Sequence, residues 1–569
     1  MGIQSVELAA GLGCNVFTSA HHVGYFVVAE LNLANDTAEN GRYRRLITPV
    51  HTWSGLVAGW LLFAIFITGT LSVFDAPLSR WLNPELYTLS ASDQPSAEER
   101  LDYVAKGEAF FREYQPNSGF WGMGLPNADN PGILLFWELK DGGLQMGQLH
   151  PETGEFLDPY ENRGTEGGHH FVHTHFELHA GDTGVWIVGA VTMLMLLAMV
   201  SGIIIHKRIF KDFFTLRFFK GQRSWLDAHT LLAVLTLPFL LMIAYSGLAI
   251  QAKTYLSPAI NQHYDGPFGF YTDLMQEPPF KVATGEPAEP VNLVELFARA
   301  EAQLGQPANF INVERPADSS AMSHVFGQPD AKISDDRVLY FDGGRVQFNA
   351  ITGELTHVRM PDQQMNGGAF AAEIMLERMH MAEFGGLTYR WLLFVLGLLG
   401  SAMIAAGTIL FWVKRRQGIQ NEFGRATPVV YRLIEALNIA AITGLLVACI
   451  GFFWANRLLP MALTDRAGWE ITAFFGIWLL TLLHASVLPA AKVWAQQCWL
   501  FALLCLFLPL LNLLTTGEHL VNYAADGRIA AFAVELGIVI CGALALWLSR
   551  YLQRRAKKVG SQPALPEHN

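Results

Sequence analysis

His51-Thr-Trp-Ser-Gly-Leu56 opens an apolar stretch that runs on to Gly69-Thr70, and His229-Thr-Leu-Leu232 opens a second that runs on to Gly247. In both, the histidine precedes the glycine by 18 residues; downstream, His175 precedes Gly202 and His380 precedes Gly407, each by 27. Packing two apolar helices requires no imidazole. A metal cofactor clasped between helices requires one from each side, so the chain is read as an internal repeat with histidines in register.

The rest of the chain fixes the class. Of 569 residues, 51% are hydrophobic and 16% charged, with a mean hydropathy of +0.26. That is too apolar for a soluble protein of this length and predicts an α-helical polytopic membrane protein. Stretches long enough to span a bilayer fall at 50–75, 184–206, 229–251, 389–413, 430–454, 469–491, 496–514 and 529–551, giving eight helices. The sequence divides into a leader (1–45), a first repeat (46–208), a basic loop (209–227), a second repeat (228–416), a four-helix extension (417–552) and a basic tail (553–569).

Basic residues set the orientation. Arg42, Arg44 and Arg45 precede the first span; Lys207, Arg208, Lys211, Arg217, Lys220 and Arg223 follow the second; Lys414, Arg415, Arg416 and Arg425 follow the fourth; Arg550, Arg554, Arg555, Lys557 and Lys558 follow the last. By the positive-inside rule both termini are expected in the cytoplasm of a bacterial inner membrane. Residues 76–170 carry fifteen Asp/Glu against six Lys/Arg, and with 252–385 are expected to face the periplasm. The first span lacks a small-residue cleavage site and is read as a retained anchor. The external segments contain no cysteine, and no Cys-x-x-Cys motif is available for an iron–sulfur cluster, structural zinc or covalent haem.

The external segments also match. Gln148-Leu-His-Pro-Glu-Thr-Gly-Glu155 aligns with Gln347-Phe-Asn-Ala-Ile-Thr-Gly-Glu354, after strand-like stretches at Ile133–Leu139 and Val338–Phe341. Small α+β domains with Thr-Gly turns are predicted.

Together, His51-Thr-Trp-Ser-Gly-Leu, Gly69-Thr70, the paired Thr-Gly-Glu turns and the His-bearing second helices resemble the PepSY-associated transmembrane helix family, over roughly residues 45–415. That family includes inner-membrane ferrisiderophore reductases. The resemblance implies PepSY-like external domains and a b-type haem protein that carries electrons across the bilayer to a ferric siderophore outside. Nothing recognisable extends beyond residue 430.

Parallel repeats place equivalent residues at equal depth, so His51 is expected opposite His229 and His175 opposite His380. Each pair would supply both axial nitrogens of a non-covalent haem, giving two bis-His haems. Any single one of these histidines reads better as a boundary or surface residue; the symmetric pairing favours ligation. His206 is a second-choice ligand on the side of His51 and His229, and its counterpart in the second copy is Phe411. His173 and His179 cluster around His175, and because His175 and His179 are four positions apart the two are expected to share a helix face. Thr52, Thr230 and Glu383 are candidate acceptors for the second ring nitrogen. The glycines at 55, 59, 69, 202, 247, 397, 400 and 407 are read first as helix-packing positions.

In the extension, Glu435, Asn438, His484, Glu518, His519 and Glu535 are candidates for a quinol site or for interhelical hydrogen bonds. No nucleotide-binding fingerprint is present, so a quinol or separate cytoplasmic donor is expected, with no nucleic-acid partner. The competing classes are a metal- or proton-coupled transporter without haem and a sensor or scaffold whose external domains bind peptide.

Overall fold

The computed structural model describes residues 17–560 apart from 90–94, 128–129, 140–142, 158–162, 207–216, 218–220, 265–268, 271–272, 275–280, 329–342, 362–367, 384–385 and 417–421. Part of the leader (1–16), most of the basic loop including Lys207, Arg208, Lys211 and Lys220, the strand-like stretch at 338–341 and the end of the tail (561–569) lie outside the described residues.

Among the described residues, eight helices are long and apolar enough to cross a membrane, as expected: Arg45–Ser72, Gly181–Ile205, Gln222–Ile250, Gly386–Arg415, Gly424–Leu458, Arg466–Val487, Ala490–Thr516 and Ile529–Tyr551. The chain is a multi-pass membrane protein. The first span belongs to α1 (Phe17–Ser72), followed by α2 (Asp75–Leu82) and α3 (Ala97–Tyr114). Strands β1 (Phe120–Gly124), β2 (Ile133–Glu138) and β3 (Leu144–Leu149) precede α4 (His169–Glu177) and the second span, α5 (Gly181–Ile205). The third span, α6 (Gln222–Ile250), leads through the short α7 (Ala252–Tyr255) and α8 (Ser257–His263) to α9 (Leu293–Leu304). Strands β4 (Ala308–Glu314), β5 (Met322–Gly327), β6 (Arg345–Asn349) and β7 (Leu355–Arg359) then lead to α10 (Gly368–Met381) and the fourth span, α11 (Gly386–Arg416).

The strands of the two segments between spans form one antiparallel sheet, ordered β3-β2-β1-β4-β5-β6-β7. The seam is β1 against β4, with Trp121 opposite Val313 and Met123 opposite Ile311. Helices α3 and α9 cover one face through Val104, Phe111, Leu296 and Phe297, on a core with Trp121, Leu135, Ile311, Val325 and Phe348. Arg100 of α3 locks this cover by pairing both carboxylate oxygens of Glu301 on α9, at 2.6 and 3.1 Å. A capping box, Ser96 with Glu99, starts α3; Asn292 caps α9, and Gly305 at φ +66° ends it.

The two Thr-Gly turns fold alike. His150 N–H donates to Glu155 O and Gly154 N–H to His150 O; likewise Asn349 N–H donates to Glu354 O and Gly353 N–H to Asn349 O. Gly154 and Gly353 take φ +74° and +69°, where a side chain is strained. His150 Nδ1 and Asn349 Oδ1 fill the same role, each accepting two backbone N–H groups of its turn.

Spans α1, α5, α6 and α11 pack as a bundle, with α1 against both α5 and α11, and α6 against α11. The extension comprises α12 (Thr427–Ile439), a π turn at Ala440–Gly444, α13 (Leu445–Leu458), α14 (Arg466–Val487), α15 (Ala490–Thr516), α16 (Leu520–Ala525) and α17 (Ile529–Gly560). It shares one apolar core with the bundle, since Ala64, Leu240 and Ile404 belong to the same cluster as Leu445, Phe452 and Leu508. Polar residues stitch the junction. Trp60 Nε1 donates to Asn438 Oδ1 at 2.7 Å, and Asn438 Nδ2 to Thr408 O. Arg457 is buried over the Trp81 ring at 4.3 Å and donates to Trp81 O, Leu82 O, Asn456 Oδ1 and Asn512 Oδ1.

Candidate functional site

The four paired histidines meet two by two between helices. The ring of His51 on α1 lies 6.4 Å from that of His229 on α6, centre to centre, and His175 on α4 lies 5.9 Å from His380 on α10. Sequence spacing therefore placed each pair correctly. Along α1, His51 is 14 residues from Ile65, whose carbonyl contacts His175, so the two levels are about 21 Å apart at 1.5 Å per residue.

Each ring is fixed through Nδ1. His51 Nδ1 bonds Ala198 O at 2.8 Å, His229 Nδ1 bonds Met403 O at 2.9 Å, and His175 Nδ1 bonds Ile65 O at 2.8 Å. His380 Nδ1 lies 2.9 Å from Ser246 Oγ. A carbonyl only accepts, so Nδ1 carries the proton in the first three and Nε2 keeps its lone pair. The nearest partners are three main-chain carbonyls and the Ser246 hydroxyl, and Ser201 Oγ also lies 3.4 Å from His51 Nδ1. The expected acceptors take no such part: Thr52 donates its hydroxyl to Thr48 O, and the backbone N–H of Glu383 bonds Arg378 O.

The four in-register glycines have a sharper role than helix packing. A Cβ on Gly69 would lie 2.5 Å from His175 Nδ1; on Gly202, 3.1 Å from His51 Cε1; on Gly247, 3.1 Å from His380 Cε1; on Gly407, 2.9 Å from His229 Cε1. Each histidine thus rests in a notch that only glycine provides, on the helix partnering its own. Gly55, by contrast, has nothing within 4 Å of a Cβ. The spacing of 18 and 27 residues was the signal for this, because each glycine holds the ring of the other helix.

Around His175 the chain does not continue as one helix. α4 ends at Glu177, and Leu178, His179 and Gly181 take φ +52°, +51° and +54° before α5 begins. His175 and His179 therefore do not share a helix face, because two left-handed residues turn His179 back over α4. There its Nε2 lies 3.0 Å from His170 Nδ1, and its ring stacks on that of His170 at 4.9 Å. His170 is fully buried and stacks on Phe452 of the extension at 4.2 Å, a contact not anticipated from sequence. His173 Nδ1 pairs with Glu177 Oε1 at 2.5 Å and His169 Nδ1 with Asp75 Oδ2 at 2.6 Å. A matching break follows His380, where Ala382 and Gly386 take φ +58° and +56°.

Burial lowers the pKa of His175 and brings that of His380 down to about 3, with His175 adding to the shift of His380, so both rings remain neutral near pH 7. His169 moves the other way, raised by its hydrogen bond to Asp75. His206 closes α5 and lies close enough to His229 to interact with it electrostatically, but no ring contact joins it to either histidine of that pair among the described residues. No group of three or more His, Cys, Asp or Glu side chains suited to a metal occurs among the described residues.

The polar residues of the extension have mainly structural partners. Glu535 accepts from Trp81 Nε1 and Asn512 Nδ2, Glu518 pairs with Arg528, Glu435 lies 3.6 Å from Arg432, and His519 caps α16.

Comparison with known proteins agrees with this architecture. An uncharacterized protein of Pseudomonas aeruginosa is 25% identical over 405 residues, which are 68% of this chain and 95% of that relative. The description of the PepSY-associated TM region matches residues 48–415, from just before His51 to the end of α11. The chain belongs to the family of PepSY-associated transmembrane proteins.

Proposed function

We propose that the chain is a di-haem b-type oxidoreductase of the bacterial inner membrane, with one haem between His51 and His229 and one between His175 and His380. The observation that carries this reading is the spacing of the rings. An imidazole nitrogen bonds a metal at about 2 Å, so two imidazoles that would hold one iron between them need ring centres roughly 6 Å apart. The pairs stand at 6.4 and 5.9 Å, with Nδ1 tied back and Nε2 left for a metal. A carbonyl acceptor behind Nδ1 also raises the basicity of the ligating nitrogen and fixes its tautomer.

The doubled histidine–glycine pattern and the two like turns support an internal repeat whose external halves are PepSY-like and share one sheet. The positive-inside bias supports an orientation with the sheet in the periplasm, both termini in the cytoplasm and His51/His229 at the inner level. When bound, the haems supply a one-electron couple at each level. The two histidine pairs that would hold them stand about 21 Å apart along α1, and burial keeps His175 and His380 neutral. One electron from a quinol or a cytoplasmic donor converts a ferric siderophore outside to its ferrous form. Ferrous iron is held weakly by hard oxygen ligands, so the metal is released. No nucleophilic side chain is needed.

Haem quantitation on purified wild-type protein and on the four single His→Ala variants tests the proposal. Two haems per chain are expected in wild type and one in each variant, with His51→Ala and His229→Ala affecting the same spectral component and His175→Ala and His380→Ala the other. A folded wild-type chain without haem, or variants retaining two, overturns it.

A further inference from the structure

Two histidines of α4 belong to neither paired-histidine clasp. His169 and His173 stand one helical turn apart, with side chains 59% and 36% exposed and ring centres 6.0 Å from each other. That spacing lets two imidazoles share one metal ion. Each ring is steadied by a carboxylate at Nδ1: Asp75 of α2 lies 2.6 Å from His169, and Glu177 of α4 lies 2.5 Å from His173. A neutral imidazole that donates its Nδ1–H to a carboxylate keeps its lone pair on Nε2, as in carboxylate–histidine–metal sites.

The surroundings select the charge of the ligand. Glu166 acts electrostatically on His169 and on His179, and Glu177 acts on His179, so with Asp75 three carboxylates gather about the pair. Such a field attracts a dication. Imidazole nitrogen suits zinc, copper and ferrous iron, whereas magnesium and calcium take oxygen ligands. No third side chain completes a metal set among the described residues, and Nε2 of His179, the next imidazole, lies against His170. Two protein ligands with water in the remaining positions hold an ion that exchanges, unlike a closed structural site.

The internal repeat separates this pair from the clasps. In the register that sets His175 against His380, the positions of His169 and His173 fall on Ile374 and Arg378 of α10. The pair belongs to the first copy alone, so the symmetric clasps do not require it.

We propose that His169 and His173 form an exchangeable site for a divalent first-row transition-metal ion, with Asp75 and Glu177 orienting the two rings. The site begins six residues from His175, about 9 Å along α4. In the reaction proposed above, the ion is the ferrous product as it leaves its oxygen chelate. That assignment rests on the redox reading; the site and its metal class do not.

Titration calorimetry of the full-length, tag-free chain in detergent with zinc chloride, under excess magnesium, tests this without electron transfer, because zinc does not change oxidation state. One saturable zinc site per chain is expected, undisplaced by magnesium and at least about tenfold weaker in His169→Gln and in His173→Gln. Asp75→Asn and Glu177→Gln keep both ligands and should weaken it about tenfold through loss of ring orientation. Melting temperature verifies that each variant is folded. Absence of a saturable site, displacement by magnesium, or unchanged affinity in folded His169→Gln and His173→Gln overturns the proposal. A haem-free wild-type chain that still binds zinc at this site would sink the redox reading alone, and a haem-replete chain without the zinc site would sink this one alone.

Discussion

Gly69→Ala puts the glycine notches to a quantitative test. The added Cβ would stand 2.5 Å from His175 Nδ1, 2.6 Å from Cε1 and 3.2 Å from Cγ, against a comfortable separation of about 3.5 Å. The His175 ring must retreat by about 1 Å, which breaks the 2.8 Å bond from Nδ1 to Ile65 O and the 5.9 Å spacing to His380. Overpacking costs about 1–3 kcal/mol and the lost hydrogen bond about 1 kcal/mol, together about 2–4 kcal/mol concentrated on one level. That corresponds to roughly 30- to 1,000-fold weaker retention of the haem proposed between His175 and His380. Gly407→Ala should do the same to the His51/His229 level, where the Cβ would meet His229 Cε1 at 2.9 Å. The control is Gly55→Ala, with nothing within 4 Å, where greater helix propensity leaves stability unchanged or up to about 1 kcal/mol higher. Pyridine haemochrome titration should read two haems per chain in wild type and Gly55→Ala, and one in Gly69→Ala. Two haems with an unchanged spectrum in Gly69→Ala would refute the notch.

Three further outcomes follow from the same geometry. His206→Ala should keep two haems per chain with both spectral components intact; loss of the inner component would make His206 a ligand. Arg457→Met should lower stability by about 3–5 kcal/mol, seen as a marked fall in melting temperature, since it strips donors from Asn512 Oδ1, Asn456 Oδ1 and the carbonyls of Trp81 and Leu82 in the buried junction of bundle and extension; a shift within experimental error would assign that junction no stabilising role. Asp75→Asn should lower the melting temperature in a pH-dependent way. The folded pKa of His169 is raised by Asp75, so that contribution is complete below the unfolded value of about 6.5 and disappears as pH rises through the folded value. A wild-type advantage that stays constant from pH 5.5 to 8.5 would contradict the pairing.

The pairing of His51 with His229 and of His175 with His380 was legible in the sequence because the same histidine–glycine spacings occur twice, and spacing along a helix converts directly to height. The eight spans were legible for the same reason: bilayer thickness fixes their length. What sits behind each Nδ1 was not, because three of the four partners are backbone carbonyls, which every residue carries and no side-chain identity reveals. The fusion of the strands of the two inter-span segments into one sheet was equally hidden. β1 and β4 are separated in sequence by two membrane spans, and each reads as a plausible edge until the two are brought together. His179 was misplaced because a non-glycine residue at positive φ has no signature strong enough to break a helical pattern; the turn at Leu178 and His179 is held by packing against His170 and the extension.

Near-infrared magnetic circular dichroism on the oxidised wild-type chain, combined with haem quantitation on the same sample, addresses the histidine clasps directly. The geometry of the two pairs predicts two low-spin ferric centres per chain, both with bis-imidazole ligation. A folded, membrane-extracted chain that is colourless, or whose haem carries a ligand other than two imidazoles, would contradict it.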